Sequence, residues 1–490
     1  MKRLIVFILG LGIVSCTNQK QEQEKKSSNR TDSRPNIVVI LADDLGYNDV
    51  SFNGATEIQT PEIDALANNG VIFKNGYVTH PYCGPSRAGL LTGRYQARFG
   101  LENNPDYNPS DPHMGLPITE ELFPKKLQEA GYTTGMVGKW HIGAAAHFQP
   151  LSRGFDYFYG FLGGGHNYFP EEIDFRGDSY KIPLQENHGL GDFDEYLTTA
   201  LSRKAAGFIN ENKDDPFFLY VAYNAPHAPL EAPAELEEKY KHIEDPERRT
   251  YLAMVDAMDQ GIGMIVDALK DSGNFENTLI FFLSDNGGVY PEAWLPTFDW
   301  ADNSPFRRGK VALLEGGVHV PFIAHWPEKI AKGQTFDGLV SALDIAATSM
   351  RLSEYKGDVS KLEGVDLLPY FEGQKADSPH KALYWRLGEG DPLWCIRTEK
   401  YKYMNQPLPG VGKCFFDLEQ DPTEKNNLLG KYPEQQAELA SLWNDWNKDN
   451  INMILHHGPH LYKPAVKKMY DALYEEQVQK ANERGTYIVE

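Results

Sequence analysis

Near-continuous apolar runs rich in β-branched and aromatic residues recur along the chain at residues 36–41, 71–77, 133–137, 216–222 and 278–283. A strand buried on both faces needs such a run, whereas a half-solvated strand alternates. Between them lie 61–69, 121–130 and 249–271, whose apolar positions recur at helical spacing. The alternation predicts an α/β fold: a doubly wound, mostly parallel sheet with helices on both faces. From about residue 382 the pattern shortens to YWRL, LWCIRT, YKYMN and CFFDLE, then to a helical stretch over 433–448. That predicts a smaller C-terminal α+β unit with a short antiparallel sheet, residues 376–490, beside a main domain over 34–375. The tail, 451–490, with His456, His457 and His460, either lines a cleft or packs on the surface.

The amino terminus departs from this pattern. Lys2 and Arg3 precede an apolar run ending at Val14, too short to span a bilayer and predicted to be a signal peptide over residues 1–15. Ile13, Val14, Ser15 and Cys16 are similar to a bacterial lipobox, which predicts lipidation of Cys16 and an exported, outer-membrane-anchored protein facing the periplasm or the cell exterior. The other reading is a plain signal with a spectator cysteine. Residues 16–33 carry too little apolar surface to offset their ordering entropy and read as a tether.

Charge narrows the function. With 48 Lys+Arg against 69 Asp+Glu the net charge is −21, so a nucleic-acid partner is excluded unless a local basic pocket supplies the attraction. Of the remaining cysteines, Cys395 and Cys414 either bridge in an oxidising compartment or pack as buried thiols. Cys83 is then an unpaired thiol in an exported protein, which asks for a chemical reason.

In a doubly wound sheet, ligands bind beyond the carboxyl ends of the strands. There the chain places Asp43 and Asp44, Asp285 and Asn286, Lys139 and His141, and His227. Three carboxylates and an amide carbonyl are hard oxygen donors suited to Ca²⁺ or Mg²⁺ and lack the thiolates and imidazoles that zinc prefers. Pro85 suits the first turn of a helix with Cys83 just before its start, where free N–H groups, helped by Arg87, would hold an anion.

The segment Cys83, Pro85, Ser86, Arg87 with Leu91-Thr92-Gly93-Arg94 resembles the C-x-P-S-R signature of the type I sulfatases. The likeness extends through NIVVILADDLGYNDVSFNG, GYTTGMVGKWHIG, NAPHAPL, LSDNGG, GKVALLEGGVHVPFIAHWP and FFDLEQDPTEKNNLL, and looks closest to the N-acetylgalactosamine-4-sulfatase-like branch and its bacterial polysaccharide-degrading relatives. The resemblance implies an alkaline-phosphatase-like fold and conversion of Cys83 to formylglycine by a maturation enzyme. It implies one divalent ion, usually Ca²⁺, on Asp43, Asp44, Asp285 and Asn286, with position 83 as a further ligand. The hydrated aldehyde would attack sulfur and form a formylglycine-sulfate intermediate. Arg87 would orient the diol, Lys139 would bridge sulfate and diol, His141 would accept the diol proton, and His227 and Lys310 would face the leaving-group oxygen. The implied reaction is hydrolysis of sulfate esters on a polysaccharide or its oligosaccharides, algal (ulvan, carrageenan) or a glycosaminoglycan.

One departure concerns a serine that many members use to touch sulfate. This chain has Gly163-Gly164-Gly165 there, so His166 or Asn167 takes over the contact or it is missing. Two other readings are a phosphodiesterase or phosphonate monoester hydrolase of the same superfamily, and a non-catalytic glycan-binding lipoprotein.

Overall fold

The computed structural model describes residues 32–170, 182–291, 299–387 and 393–455. The signal, Cys16, most of the tether and the three tail histidines lie outside them. Ten strands form one sheet: β1 (Asn36–Ala42), β2 (Val71–Tyr77), β3 (Thr133–Lys139), β4 (Tyr157–Phe161), β5 (Gln185–Glu186), β6 (Gly189–Leu190), β7 (Phe217–Ala222), β8 (Thr278–Ser284), β9 (Phe322–His325) and β10 (Gln334–Ser341). Their order is β10-β2-β9-β8-β1-β7-β3-β4-β5-β6. The centre, β8-β1-β7-β3-β4, is parallel, and β9 runs antiparallel between β2 and β8. The five strands expected from the apolar runs all form, their bounds differing from the expected ones by no more than two residues.

β1 explains why these runs need not alternate. Ile37, Val39 and Leu41 pack with Ala88, Leu90, Phe123 and Ile345 on one side; Val38, Ile40 and Ala42 pack with Ile63, Leu201, Leu252 and Val255 on the other. Each face is covered by helices: Cys83–Thr92, Phe123–Glu129 and Asp344–Leu352 on the first, Pro61–Asn68, Leu197–Glu211 and Pro246–Asp271 on the second. Fully burying each Ile, Leu or Phe contributes about 1.5–3 kcal/mol, and the polar residues the strands do bury, Asn36 and Thr134 among them, are hydrogen-bonded.

The C-terminal sheet is antiparallel, β11 (Leu383–Leu387), β12 (Leu393–Arg397), β13 (Tyr401–Gln406) and β14 (Gly412–Asp417). Its side chains alternate. Trp385, Cys395, Met404 and Phe416 pack on Tyr77, Leu313, Leu314 and Val318 of the main domain, while Ile396, Tyr403 and Phe415 face Trp443 of the helix Pro433–Asn447. This arrangement settles the bridge question. Cys395 and Cys414 each pair with Met404 from opposite sides, two strand spacings of about 4.8 Å apart, beyond the 4.4–6.8 Å that a disulfide spans between Cα atoms, roughly. Both are buried free thiols. Among the described residues, no helix is long and apolar enough to cross a membrane.

Candidate active site

Sheet register brings the predicted residues together. Ala42 pairs with Ser284, and Gly138 with Ala222, so β1, β8, β3 and β7 end nearly level. The main chain continues the weave: Asp285 N donates to Ala42 O at 3.0 Å and Asp43 N to Ala225 O at 3.0 Å. Asp44 and His141, both just past strand ends, adopt φ of 63° and 61°, a left-handed conformation uncommon for residues other than glycine.

The helix begins at Cys83 itself rather than one residue later. Pro85 lies in its first turn, and Gly93, at φ 65°, caps its end. Gly84 N donates to Asn104 Oδ1 at 2.9 Å; the Asn-Pro pair at 104–105 was a turn signal that the sequence reading passed over. The thiol is buried but not surrounded by hydrocarbon. Its Sγ lies 3.5 Å from Asp43 Oδ1 and 3.9 Å from Asp44 Oδ1. Burial, with smaller contributions from Asp285 and Asp43, pushes the Cys83 thiol up despite Lys139 and Lys310, so it does not ionise readily as an ordinary cysteine nucleophile.

Basic groups interleave with the carboxylates. Arg87 donates from Nε to Asp285 Oδ2 at 2.8 Å and from Nη1 to the Lys139 carbonyl at 2.7 Å, with Nη2 2.8 Å from Asp285. Lys139 Nζ donates to Asp43, and Lys310 Nζ lies 2.7 Å from the Asp44 carboxylate. Burial alone would raise Asp44; Lys310, His227 and Lys139 together hold it well below the usual carboxylate range. Burial, then Asp43, push Asp285 up to about 6. Three carboxylates are thus balanced by three basic side chains. Adding a divalent cation leaves an excess positive charge that an anionic ester offsets.

The donor set fits such a cation. Ligand atoms of Asp43, Asp44, Cys83 and Asp285 all lie within 4.8 Å of one another, all buried. Asn286 Nδ2 donates to Asp44 Oδ1 at 2.7 Å and to Gly287 O at 2.9 Å, while its buried Oδ1 has no partner among the described residues. A buried carbonyl oxygen without a donor costs free energy unless something electropositive meets it.

The histidines differ. His227 places Nε2 3.6 Å from Asp44 Oδ2 and Nδ1 2.6 Å from the Ala228 carbonyl. That carbonyl fixes the hydrogen on Nδ1 and leaves Nε2 as the acceptor. Burial, then Lys139, hold it down to about 3. His141 is lowered too, by burial and then by Lys139 and Arg87, and its buried Nδ1 has no hydrogen-bond partner among the described residues.

Of the three alternatives for the missing serine, the geometry disfavours His166: its Nδ1 lies 2.7 Å from Asn167 O and its Nε2 2.8 Å from Ile182 O, so both ring nitrogens face main-chain carbonyls. Asn167 is buried beside it. The glycines have their own reason: a Cβ on Gly164 would sit 2.7 Å from His141 Nε2. A serine at that place would displace the imidazole.

A divalent-cation cradle, two buried basic side chains and a cysteine opening a helix define a hydrolase of tetrahedral oxyanion esters. Comparison with known proteins narrows this class. The chain belongs to the sulfatase family: the Sulfatase model matches residues 35–355, and the model "N-sulphoglucosamine sulphohydrolase, C-terminal" matches 308–449. It is 33% identical to the sulfatase YdeN of Escherichia coli (strain K12), covering 84% of this chain and 83% of that protein. It is 35% identical to the N-acetylgalactosamine-6-sulfatase of Mus musculus, over 75% of this chain and 71% of the relative. That name carries position 6, not the 4 of the branch the sequence blocks resemble. Among solved structures, Ps i-CgsB in complex with k-i-k-neocarrahexaose superposes with a TM-score of 0.81 at 38% identity, covering 87% of this chain and 96% of that one. The fold is the alkaline-phosphatase-like fold of the sulfatases, and the protein is a sulfuric ester hydrolase. Formylglycine and a divalent metal are general to the family.

Proposed function

We propose that the protein is a Ca²⁺-dependent sulfatase that removes sulfate from a sulfated polysaccharide or its oligosaccharides, with galactose-based chains of the carrageenan type as the leading substrate class. The observation that carries the reading is the Cys83 sulfur 3.5 Å from Asp43 within an all-oxygen cradle, flanked by Arg87 and Lys139. The likeness to a structure holding a neocarrahexaose supports the substrate class.

Formylglycine at position 83 supplies a geminal diol, whose second hydroxyl allows sulfate to be expelled where an ordinary alkoxide could not. Asp43, Asp44, Asp285 and the orphaned Asn286 oxygen would hold the ion; as hard, largely anionic donors they suit Ca²⁺. Arg87, held rigid by Asp285 and the Lys139 carbonyl, presents a fixed fork to the diol, and Lys139 bridges to sulfate; both stabilise charge on the transferring group. His141, neutral and with an Nδ1 that has no partner among the described residues, would be placed to accept a proton from that diol. Lys310, its ammonium beside Asp44, would supply the charge stabilisation or proton that a departing sugar oxygen needs more than a phenolate does, and His227 would face the same oxygen through Nε2, which has no proton to give until it takes one up.

The N-terminal reading completes the proposal: export, lipidation at Cys16 and outer-membrane attachment, with a formylglycine-generating or sulfatase-maturing enzyme as an obligatory partner. The test is a panel of carrageenan oligosaccharides, ulvan oligosaccharides, N-acetylgalactosamine 6-sulfate, 4-methylumbelliferyl sulfate and bis(4-nitrophenyl) phosphate, scored for released sulfate or phenol. The reading expects calcium-dependent release from a sugar sulfate. Turnover of the phosphate diester alone would reject it.

A further inference from the structure

Lys310 reaches Asp44 from a segment with little regular structure of its own. That segment is stitched to the site by main chain: Lys310 N donates to Gly288 O at 2.9 Å, Val311 N to Pro81 O at 3.1 Å, and Gly287 N to Gly317 O at 3.0 Å. It therefore touches both the Asn286 turn and the residue two before Cys83. Its backbone is strained on either side of the lysine, with Arg308 at φ 64° and Val311 at φ 75°; for a β-branched residue such a φ is an outlier that persists only where surroundings enforce it.

The C-terminal sheet provides that enforcement. Lys402, Met404 and Gln406 alternate along β13 and so share one face. Gln406, 3% exposed, donates from Nε2 to Val311 O at 2.8 Å and accepts from Leu313 N at 2.7 Å, gripping both sides of Ala312. Met404 packs with Leu313, Leu314 and Val318. Lys402, fully buried, lies 2.8 Å from Glu315 Oε1 and 2.9 Å from Glu424 Oε1, and Glu424 Oε2 accepts from Glu315 N at 2.8 Å.

We propose that Gln406 and Lys402 are positioning residues of the active site: through Val311, Leu313 and Glu315 they clamp the segment that carries Lys310 and hold its ammonium at the leaving-group oxygen. The proposal rests on the role given to Lys310 above. It makes the C-terminal sheet part of the catalytic apparatus without contributing an atom to the reaction.

The test is a double-mutant cycle on the full, matured protein, with formylglycine content normalised by mass spectrometry and folding followed by melting temperature. Gln406→Leu keeps the volume and removes both hydrogen bonds. Where the leucine variant does not fold, Gln406→Asn keeps the amide and withdraws it by one methylene. On the fastest sugar sulfate of the panel, Gln406→Leu is expected to lower kcat by about 10- to 100-fold, the loss that small misplacements of a reacting group bring. On 4-methylumbelliferyl sulfate, whose leaving group needs little help, the loss should be smaller. In a Lys310→Ala background the same substitution should change kcat by no more than about twofold, since the group it positions is gone. An equal loss in both backgrounds, or none beside intact Lys310, would overturn the clamp. If Lys310→Ala itself leaves sugar-sulfate turnover intact, the role of Lys310 falls and the clamp with it; if Lys310→Ala is impaired while Gln406→Leu is not, the clamp alone falls.

Discussion

Replacing Asp285 by Asn changes one charge and almost no volume, so its consequences can be worked from the geometry. Arg87 then loses its carboxylate at 2.8 Å from both Nε and Nη2; removing one partner of a buried ion pair typically costs about 3–5 kcal/mol. The same change relieves repulsion from Asp43, which with burial lifts Asp285 to about 6, so the cation-free protein should lose less than that. The cation loses an anionic ligand outright. A 100-fold weaker Kd, about 2.7 kcal/mol, is the expected scale. Calcium titrations followed by thermal melting, against an EGTA blank, separate the two effects. At a calcium concentration 100 times the wild-type Kd, the wild type gains about 2.7 kcal/mol and the variant about 0.4 kcal/mol. A variant with the wild-type calcium response, half-saturating at the same concentration, would refute the assignment of Asp285 as a ligand.

Other expectations follow from single contacts. Gly164→Ser puts a Cβ 2.7 Å from His141 Nε2 and should lower kcat about tenfold or more by shifting the imidazole, with Ca²⁺ binding retained; wild-type kcat would show that the imidazole can move freely. His380 Nε2 lies 2.8 Å from Asp344 Oδ1, and although burial opposes it, Asp344 raises His380 above its usual value. A raised folded value means the pair stabilises fully below the unfolded pKa and loses that contribution as pH rises through the folded one. The melting-temperature gap between wild type and His380→Gln should therefore narrow from pH 6 toward pH 9, roughly; a gap that widens would reverse the sign. Peptide mapping without reductant should recover Cys395 and Cys414 as separate thiol peptides, because Met404 lies between them in the sheet; a linked peptide would contradict the register of β12 to β14.

The parts legible in sequence share a physical cause. Strands β1, β7 and β8 are buried on both faces, so their apolar runs announce themselves, and the residues just past them must lie at the sheet edge where ligands bind. Asp43 and Asp285 follow β1 and β8 directly; Lys139, at the end of β3, and His227, beyond β7, stand at the same edge but owe their assigned roles to the family resemblance. β4 was missed because Gly160 sits within five residues of aromatic alternation, and β9 because four residues behind Pro321 are too few to distinguish from a loop. β10 was missed because its first half is partly exposed and polar. The clamp gave no local signal: the alternation Lys402, Met404, Gln406 along a short strand reads as a mostly polar face, and only docking against Leu313 and Glu315, some ninety positions earlier, buries it. His166 was one of three alternatives raised where many family members carry a serine, and its partners, Asn167 O and Ile182 O, depend on the folded path of the loop and leave no local trace.

The central claim is that the residue at position 83 reacts as a hydrated aldehyde over a cation held by Asp43, Asp44, Asp285 and Asn286. Mass spectrometry of the Cys83 peptide, taken from protein made in a host with a maturation enzyme and compared with calcium-dependent sulfate release by the same preparation, tests it most directly. The account predicts formylglycine in the peptide, sulfate release in proportion to its fraction, and no turnover by Cys83→Ala in a fold that still binds calcium. An active preparation whose position 83 is entirely unmodified cysteine, or a Cys83→Ala variant that turns over at the wild-type rate, would contradict it.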